Sequence, residues 1–464
     1  MSVVRADGRS FELTMPVVVV GAGGCGLCAA IAVRDAGIDV LVLERDATPL
    51  GSTGMSTGLI PAAGTPEQVA EGIEDSGARF AADIVGKAKN TDAAIVRHIA
   101  DESAETIAWL QGHGLPLTLV EGFVYSGHSV RRMYGSPNRT GGELIAGLQQ
   151  VAEAAGAAIL CEATVETLFI DAERRVIGVG FRRPDGALEE VGCGALILAS
   201  CGFGGNAALV REWIPEVGEA PYHGHPGNMG DAIAWGTALD AGFADMAAYQ
   251  GHGNLAAGHG IIVNWPSVIL GGFQLNRDGE RFYDESIGYS AAAAQVHAQP
   301  GHVAWTIFDA RIAATLEQFE DYQDAVRAGA IVAADDLAAL AVATRLPEEK
   351  LASALASVAR HANGSLPDRF GRDFTNAPKL AAPYRAVRVT GALLHTQGGL
   401  VVDRDAYVVG RDGVALPNLF AGGGAARGVS GPGAEGYIAG NGLLTATTLG
   451  KLAGRAAAAL VRDC

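Results

Sequence analysis

Four consecutive valines, Val17-Val18-Val19-Val20, run directly into Gly21-Ala22-Gly23-Gly24-Cys25-Gly26. A helical pattern follows over Leu27–Ala36, then a second apolar run, Val40–Leu43, closed by Glu44. The spacing predicts strand, glycine turn, helix and strand, the start of a doubly wound parallel sheet. Gly21 permits the tight turn, Gly23 lets the backbone approach a pyrophosphate, and Gly26 allows close packing of helix on strand. The helix N-terminus offers N–H groups and a positive dipole end to phosphates. Glu44 is placed to take ribose hydroxyls, and an acid there disfavours a 2′-phosphate. Strand, turn, helix, strand and acid together predict a dinucleotide site.

The far end of the chain carries a second signature. His395-Thr396-Gln397-Gly398-Gly399-Leu400 is followed by Leu416-Pro417-Asn418-Leu419-Phe420-Ala421-Gly422-Gly423. Two ends of one nucleotide domain so far apart imply an insert between them. Helical patterns are expected near 67–112 and 142–156, and strands at 158–170, 175–182 and 188–199. The last of these runs through Ala199 into the glycine loop Ser200–Asn206. From about 250 the composition turns to alanine-rich helices with acidic faces, as at 309–342 and 348–362, and glycine density returns at 391–442. The expected architecture is a Rossmann-like α/β domain interrupted by an α+β substrate or capping domain. The boundaries are 1–249, 250–390 and 391–464.

Charge and cysteine usage narrow the partners. The formal net charge of −17 comes without a basic cluster, which argues against nucleic acid or an anionic membrane surface. Met1–Met15 lacks the basic-then-apolar order of a signal segment, and Val17–Val20 is too short to span a bilayer. A soluble, cytoplasmic protein is expected. Cys25, Cys28, Cys161, Cys193, Cys201 and Cys464 show no iron–sulfur spacing. Cys25 and Cys28 fall in the glycine turn and first helix, where small residues are needed for packing.

Just after Glu44 comes a loop of small residues, Gly51-Ser52-Thr53-Gly54-Met55-Ser56-Thr57-Gly58-Leu59-Ile60-Pro61-Ala62-Ala63-Gly64-Thr65. With it the chain resembles the fumarate reductase and 3-ketosteroid dehydrogenase flavoprotein superfamily, over essentially its whole length. The family has such a loop against the isoalloxazine, a strand ending like Ala199–Asn206, the His-Thr-x-Gly-Gly-Leu stretch and a terminal Asn-Leu-Phe-Ala-Gly-Gly. The resemblance implies FAD. It implies non-covalent FAD, because covalent members have a histidine in the small-residue loop and this one has none. The expected cofactor set is Gly21, Gly23, Gly24, Gly26, Glu44, Arg45, Ser52, Thr53, Ser56, Thr57, Gly58, Val165, Ala199, Gly202, Gly398, Gly399, Gly423, Asn441 and Leu443. Gly398 and Gly399 would let their loop pass close to the isoalloxazine.

The insert is where the family branches. Met246–His252 resembles the fumarate reductase segment that ends in a substrate-binding histidine. Asn276–Glu285 resembles that family's Gly-x-Arg-Phe-x-x-Glu strand, and Phe308-Asp309 lies in a further matching strand. The proton-donating arginine of fumarate reductases falls at Tyr289, and their second substrate arginine at Tyr437. Their relay glutamate and arginine fall near Trp265 and Val268. Fumarate reduction needs cations to polarise carboxylates and a proton donor for the α-carbon; those groups are gone. Gly431-Pro432-Gly433 and Gly436-Tyr437-Ile438-Ala439-Gly440 resemble the ketosteroid dehydrogenase branch, which works with tyrosines and desaturates a ketone at its α,β-bond.

The residues suit that reaction. The C–H beside a carbonyl is acidic only when the developing enolate is stabilised, and the Tyr437 hydroxyl with the N–H of Gly433 could do so. Tyr289 could take the α-proton if its surroundings lowered a pKa of ~10. His252 and His395 are further catalytic candidates. The expected substrate is a saturated, cyclic ketone or keto acid, with a steroid or a smaller ring both open. The alternative is a reductase or dehydrogenase of fumarate- or tricarballylate-type acids, or a flavoprotein subunit that only passes electrons on. The acceptor (oxygen, quinone or a protein) is not encoded. Arg281 and Glu285 are read as a structural ion pair. Gly127–Arg132, with Tyr125 beside it, is read as a solvated cationic loop in preference to a carboxylate clamp.

Overall fold

The computed structural model describes residues 1–122, 124–375 and 377–463; Cys464 lies outside them. The chain divides into two compact units. The first comprises Met1–Leu209, Gly224–Tyr249 and His395–Cys464, the second Val210–His223 and Gln250–Leu394.

The first unit is built on parallel strands in the order Ala415–Ala421, Leu188–Leu198, Thr14–Val20, Val40–Leu43, Ala158–Leu160. Val17–Val20 pair on one side with Val40–Leu43 and on the other with Ala195–Leu198. A strand with neighbours on both edges and helices on its faces has no wet side, so all four valines are buried and the pattern is a run, not an alternation. Thr164–Ile170 and Val176–Arg182 extend the sheet antiparallel. Ser2–Arg5 adds an edge strand beside Thr167–Ile170 that the sequence pattern did not announce. Helix Gly24–Asp35 packs against the last helix, Asn441–Arg462; a side chain at Gly450 would stand 2.3 Å from the Cys25 carbonyl. That closeness explains the small residues. Cys25 and Cys28 are buried between the helices, and burial pushes both thiols up, Cys28 to about 12.

The second unit has its own sheet, with strands in the order Ile261–Ile262, Tyr249–Ala256, Tyr384–Thr396, Ala304–Asp309, Phe273–Leu275. Ile331–Ala334 also pairs with the long strand. The helical reading of 309–342 is therefore corrected at this point. Helices occupy Ala310–Leu316, Glu320–Arg327 and Leu337–Thr344, but the β-branched pair Ile331-Val332 extends between them. A short apolar run gives no period by which to tell strand from buried helix. Val210–His223, which the sequence left with the nucleotide half, belongs to this unit. Ile214 and Val217 are fully buried, and His223 and Pro221 exchange backbone hydrogen bonds with Leu393 at 2.8 and 3.0 Å.

Candidate active site

The glycine turn of the first unit is shaped from both sides. Gly21 has φ +104°, and a side chain on it would meet the Ala199 carbonyl at 2.5 Å; one on Gly26 would stand 1.8 Å from the Gly21 carbonyl. Gly23 differs: nothing lies within 4 Å of where its Cβ would be. It is also the N-cap of helix Gly24–Asp35, which has no side-chain cap. Open space thus stands in front of a helix N-terminus, as an approaching phosphate requires. Gly24 N–H donates to Thr53 Oγ1 at 3.0 Å, which ties the turn to the small-residue loop. The Glu44 carboxylate accepts the Ala22 N–H at 2.7 Å and the Asp46 N–H at 3.0 Å, so it is held rigidly at the end of its strand.

The remaining cofactor candidates all lie in the first unit. Ser56 Oγ donates to the Thr53 carbonyl at 2.7 Å and accepts the Gly58 N–H at 3.0 Å. Ser52 accepts Asn228 Nδ2 at 2.8 Å, and Arg45 pairs with Asp231 at 3.4 Å. Thr57 is exposed and Leu443 half-buried on the first turn of the last helix. Val165 is a core residue two positions beyond Ala163, whose N–H bonds the Glu44 carbonyl. Phe203 N–H, next to Gly202, bonds Thr396 Oγ1 at 3.2 Å, and Gly423 opens a short helical turn near Cys25. Gly398 and Gly399 are small for a reason internal to the protein: side chains there would strike the backbone of Asp245 and Ala425 at 2.2 and 2.7 Å.

His395 and Asn441 are joined through two residues that the sequence did not single out for a role. His395 Nδ1 meets the Thr396 carbonyl at 2.7 Å, and Gln397 Nε2 meets His395 Nε2 at 2.8 Å. Ser430 Oγ donates to Gln397 Oε1 at 3.0 Å, and Asn441 Nδ2 donates to Ser430 Oγ at 3.1 Å. Both ring nitrogens of His395 are thus engaged within its own loop. Asn441 Oδ1 is buried and has no partner. Such an acceptor fits a flavin, whose ring carries an imide N–H. The open Gly23, the uncapped helix, the anchored Glu44 and this orphan together fit FAD.

Tyr437 lies four residues before the start of that helix. Its buried hydroxyl accepts the backbone N–H groups of Gly440 and Gly442, yet burial dominates and pushes the phenol up, so it stays protonated. Gly433, half-buried, caps the short turn Ala434–Gly436 ahead of it. The segment is gripped from outside by the loop read as solvated. His128 Nε2 donates to the Ala439 carbonyl at 2.9 Å, and His128 Nδ1 lies 3.2 Å from Arg132. Arg132 is fully buried, paired with Asp75 at 2.9 Å and Asp83 at 2.5 Å, over the face of Phe80. The solvated reading is corrected: a fully desolvated guanidinium is held only by carboxylates and cannot stand in water. Arg131 pairs with Glu71, and Tyr125 packs beside Leu59, Met133 and Ala439.

In the second unit, His252 and Tyr289 stack with ring centroids 5.0 Å apart, and Trp265 meets both edge-on at 6.0 and 6.4 Å. Tyr289 opens helix Tyr289–His297. His252 Nδ1 accepts the Asn254 N–H at 3.1 Å, which leaves the ring proton on Nε2. Burial lowers His252 to about 3, so it is neutral at any ordinary pH. Arg281 and Glu285 are a buried pair at 2.5 Å, extended by Asp368 at 2.6 Å and Arg372 at 3.1 Å. Both arginines are neutralised by carboxylates.

A fold and a nucleotide turn of this kind define a dinucleotide-binding protein. The chain is 26% identical over 450 residues to probable fumarate reductase Ifc3 of Shewanella frigidimarina, covering 96% of itself and 75% of that protein. Its fold matches the open conformation of a flavocytochrome c3 fumarate reductase, with a TM-score of 0.82 at 24% identity, over 97% of this chain and 79% of that one. It matches 3-ketosteroid-Δ4-(5α)-dehydrogenase from Rhodococcus jostii RHA1 with a TM-score of 0.79 at 24% identity, over 97% and 98%. The model of the FAD binding domain family matches residues 16–443, and the chain belongs to that family. It is an FAD-dependent oxidoreductase. No helix among the described residues is long and apolar enough to cross a membrane.

Proposed function

We propose that the protein is an FAD-dependent dehydrogenase that introduces an α,β double bond into a saturated, cyclic ketone or keto acid. The observation that carries this is the uncharged cluster of His252, Trp265 and Tyr289. Its rings suit a hydrocarbon ring, and a histidine held neutral to about pH 3 is no clamp for a dicarboxylate.

The roles follow from the side chains. Tyr437 keeps its proton because it is buried, and two backbone N–H groups already fill its acceptor side. Its O–H is therefore a fixed donor for the ketone oxygen, strengthened by the dipole end of the helix it precedes. The N–H of Gly433 is the second donor in this reading. Tyr289 takes the α-proton as the enolate forms. His252 orients Tyr289 by stacking. Bound FAD supplies the two-electron acceptor for the hydride leaving the β-carbon. His395 positions Gln397 and, through Ser430, Asn441.

The test is anaerobic. Mixing the yellow protein with cyclohexanones, 4-oxocyclohexanecarboxylate and 3-ketosteroids should bleach the visible flavin band with at least one ketone. No bleaching by any of them, with rapid reoxidation of the dithionite-reduced protein by fumarate, would transfer the function to unsaturated acids.

A further inference from the structure

Resting on the ketone reading, we propose that Trp265 is a specificity-determining residue whose indole N–H binds a second, uncharged oxygen on the substrate ring, distinct from the reacting ketone. Trp265 is 5% exposed, and its Nε1 is buried with no hydrogen-bond partner. A buried donor without a partner calls for a reason, and an absent ligand is one.

Asn264 Oδ1, one residue before it, is likewise buried without a partner, whereas Tyr283, Gln274 and Asn254 are satisfied. Tyr283 donates to Gln274 Oε1 at 2.6 Å. Gln274 Nε2 donates to the Gly253 carbonyl at 2.9 Å and to Thr306 Oγ1 at 3.0 Å. Asn254 Nδ2 donates to the Val263 carbonyl at 2.6 Å and to Ser267 Oγ at 3.0 Å. None of these hydrogen bonds reaches the indole.

The neighbours of the indole describe the ligand. Trp265 stands edge-on to the stacked pair of His252 and Tyr289, at interplanar angles of 89° and 65°. Three rings in one cluster receive an alicyclic body. An indole N–H donates but neither accepts nor titrates, so it binds an oxygen and cannot relay a proton. His252, held neutral by burial, brings no cation to that oxygen, which favours a hydroxyl or keto group over a carboxylate.

The experiment compares anaerobic flavin reduction by 4-hydroxycyclohexanone and by 4-methylcyclohexanone, equal in size but lacking the second oxygen. Wild-type protein should show an apparent Kd about tenfold lower for the hydroxy ketone, the worth of one hydrogen bond. Trp265→Phe keeps a ring and loses the donor, and should bring the two values within about twofold of each other. In wild-type protein, one of the five tryptophan indole N–H resonances should shift with the hydroxy ketone and not with the methyl ketone, and that resonance should be missing from Trp265→Phe. Equal wild-type affinities, or a preference that survives in Trp265→Phe, would overturn the role of Trp265 while leaving the desaturase reading intact. Failure of every ketone to reduce the flavin would overturn both.

Discussion

The imidazole of His252 lies on the phenol of Tyr289, centroids 5.0 Å apart and planes 26° from parallel. This fixes the ring of a residue that begins a helix and stands where the fumarate reductase resemblance places a proton-donating arginine. Tyr289→Phe preserves the stack and removes only the hydroxyl. Flavin reduction by the best ketone should fall ~100-fold or more if that oxygen takes the α-proton. Reduction at near-normal rates, in protein with an intact flavin spectrum, removes Tyr289 from the chemistry.

Tyr437 predicts a different pattern. A phenol that donates to the ketone contributes to binding and to enolate stabilisation alike, so Tyr437→Phe should raise the apparent Kd and lower the limiting rate of flavin reduction together, the latter by ~100-fold. Because burial raises its pKa, no limb in the pH–rate profile below pH 10 should disappear in this variant. A change in neither constant means the carbonyl is held elsewhere.

Two glycines three positions apart, Gly23 and Gly26, separate folding from cofactor binding. Gly26→Ala would put a methyl 1.8 Å from the Gly21 carbonyl, so soluble folded protein should be largely lost. Gly23→Ala meets no protein atom within 4 Å and should fold normally. It should nonetheless weaken FAD by at least tenfold, since the methyl occupies the approach to the helix N-terminus. Apo-protein melting and FAD titration read the two effects. Wild-type FAD affinity in Gly23→Ala would show that the pyrophosphate does not come that close.

What could be read from the sequence was local. The valine run, glycine turn and Glu44 lie within one βαβ unit, and their geometry follows from their spacing. Arg132 could not be placed this way: its partners Asp75 and Asp83 are 57 and 49 residues distant, and only the tertiary fold reveals that the loop is buried. The same holds for Ile331-Val332, whose partner strand lies beyond residue 384. Gln397 was visible inside a quoted motif, but its link to Ser430 and Asn441 spans 33 and then 11 residues and leaves no periodic signal.

Arg132 is expected to dominate the stability of its region. Arg132→Met leaves Asp75, itself fully buried, without its counter-charge, and should cost about 3–5 kcal/mol. It also removes the group beside His128, so amide exchange at Ala439 and Gly440 should quicken along with the loss in unfolding free energy. A loss below about 1 kcal/mol would mean that Asp75 relaxes into water or becomes protonated at little cost.

His128 gives the protein a dependence on pH whose sign is fixed. Burial lowers it to about 4, whereas an unfolded histidine titrates near 6.5. Between those values the unfolded chain binds the extra proton, so stability is full above pH 6.5 and declines as pH falls toward 4. The decline is about 1.4 kcal/mol per pH unit, or about 2 kcal/mol from pH 6.5 to pH 5. His252, lowered to about 3, acts in the same direction within the second unit. His128→Gln retains a donor for the Ala439 carbonyl and cannot titrate. Urea unfolding of the variant, followed by a probe in the first unit, should therefore lose about 2 kcal/mol less than wild type between pH 7.5 and pH 5. Identical pH dependence in the two proteins would mean that His128 is already exposed to solvent in the folded state.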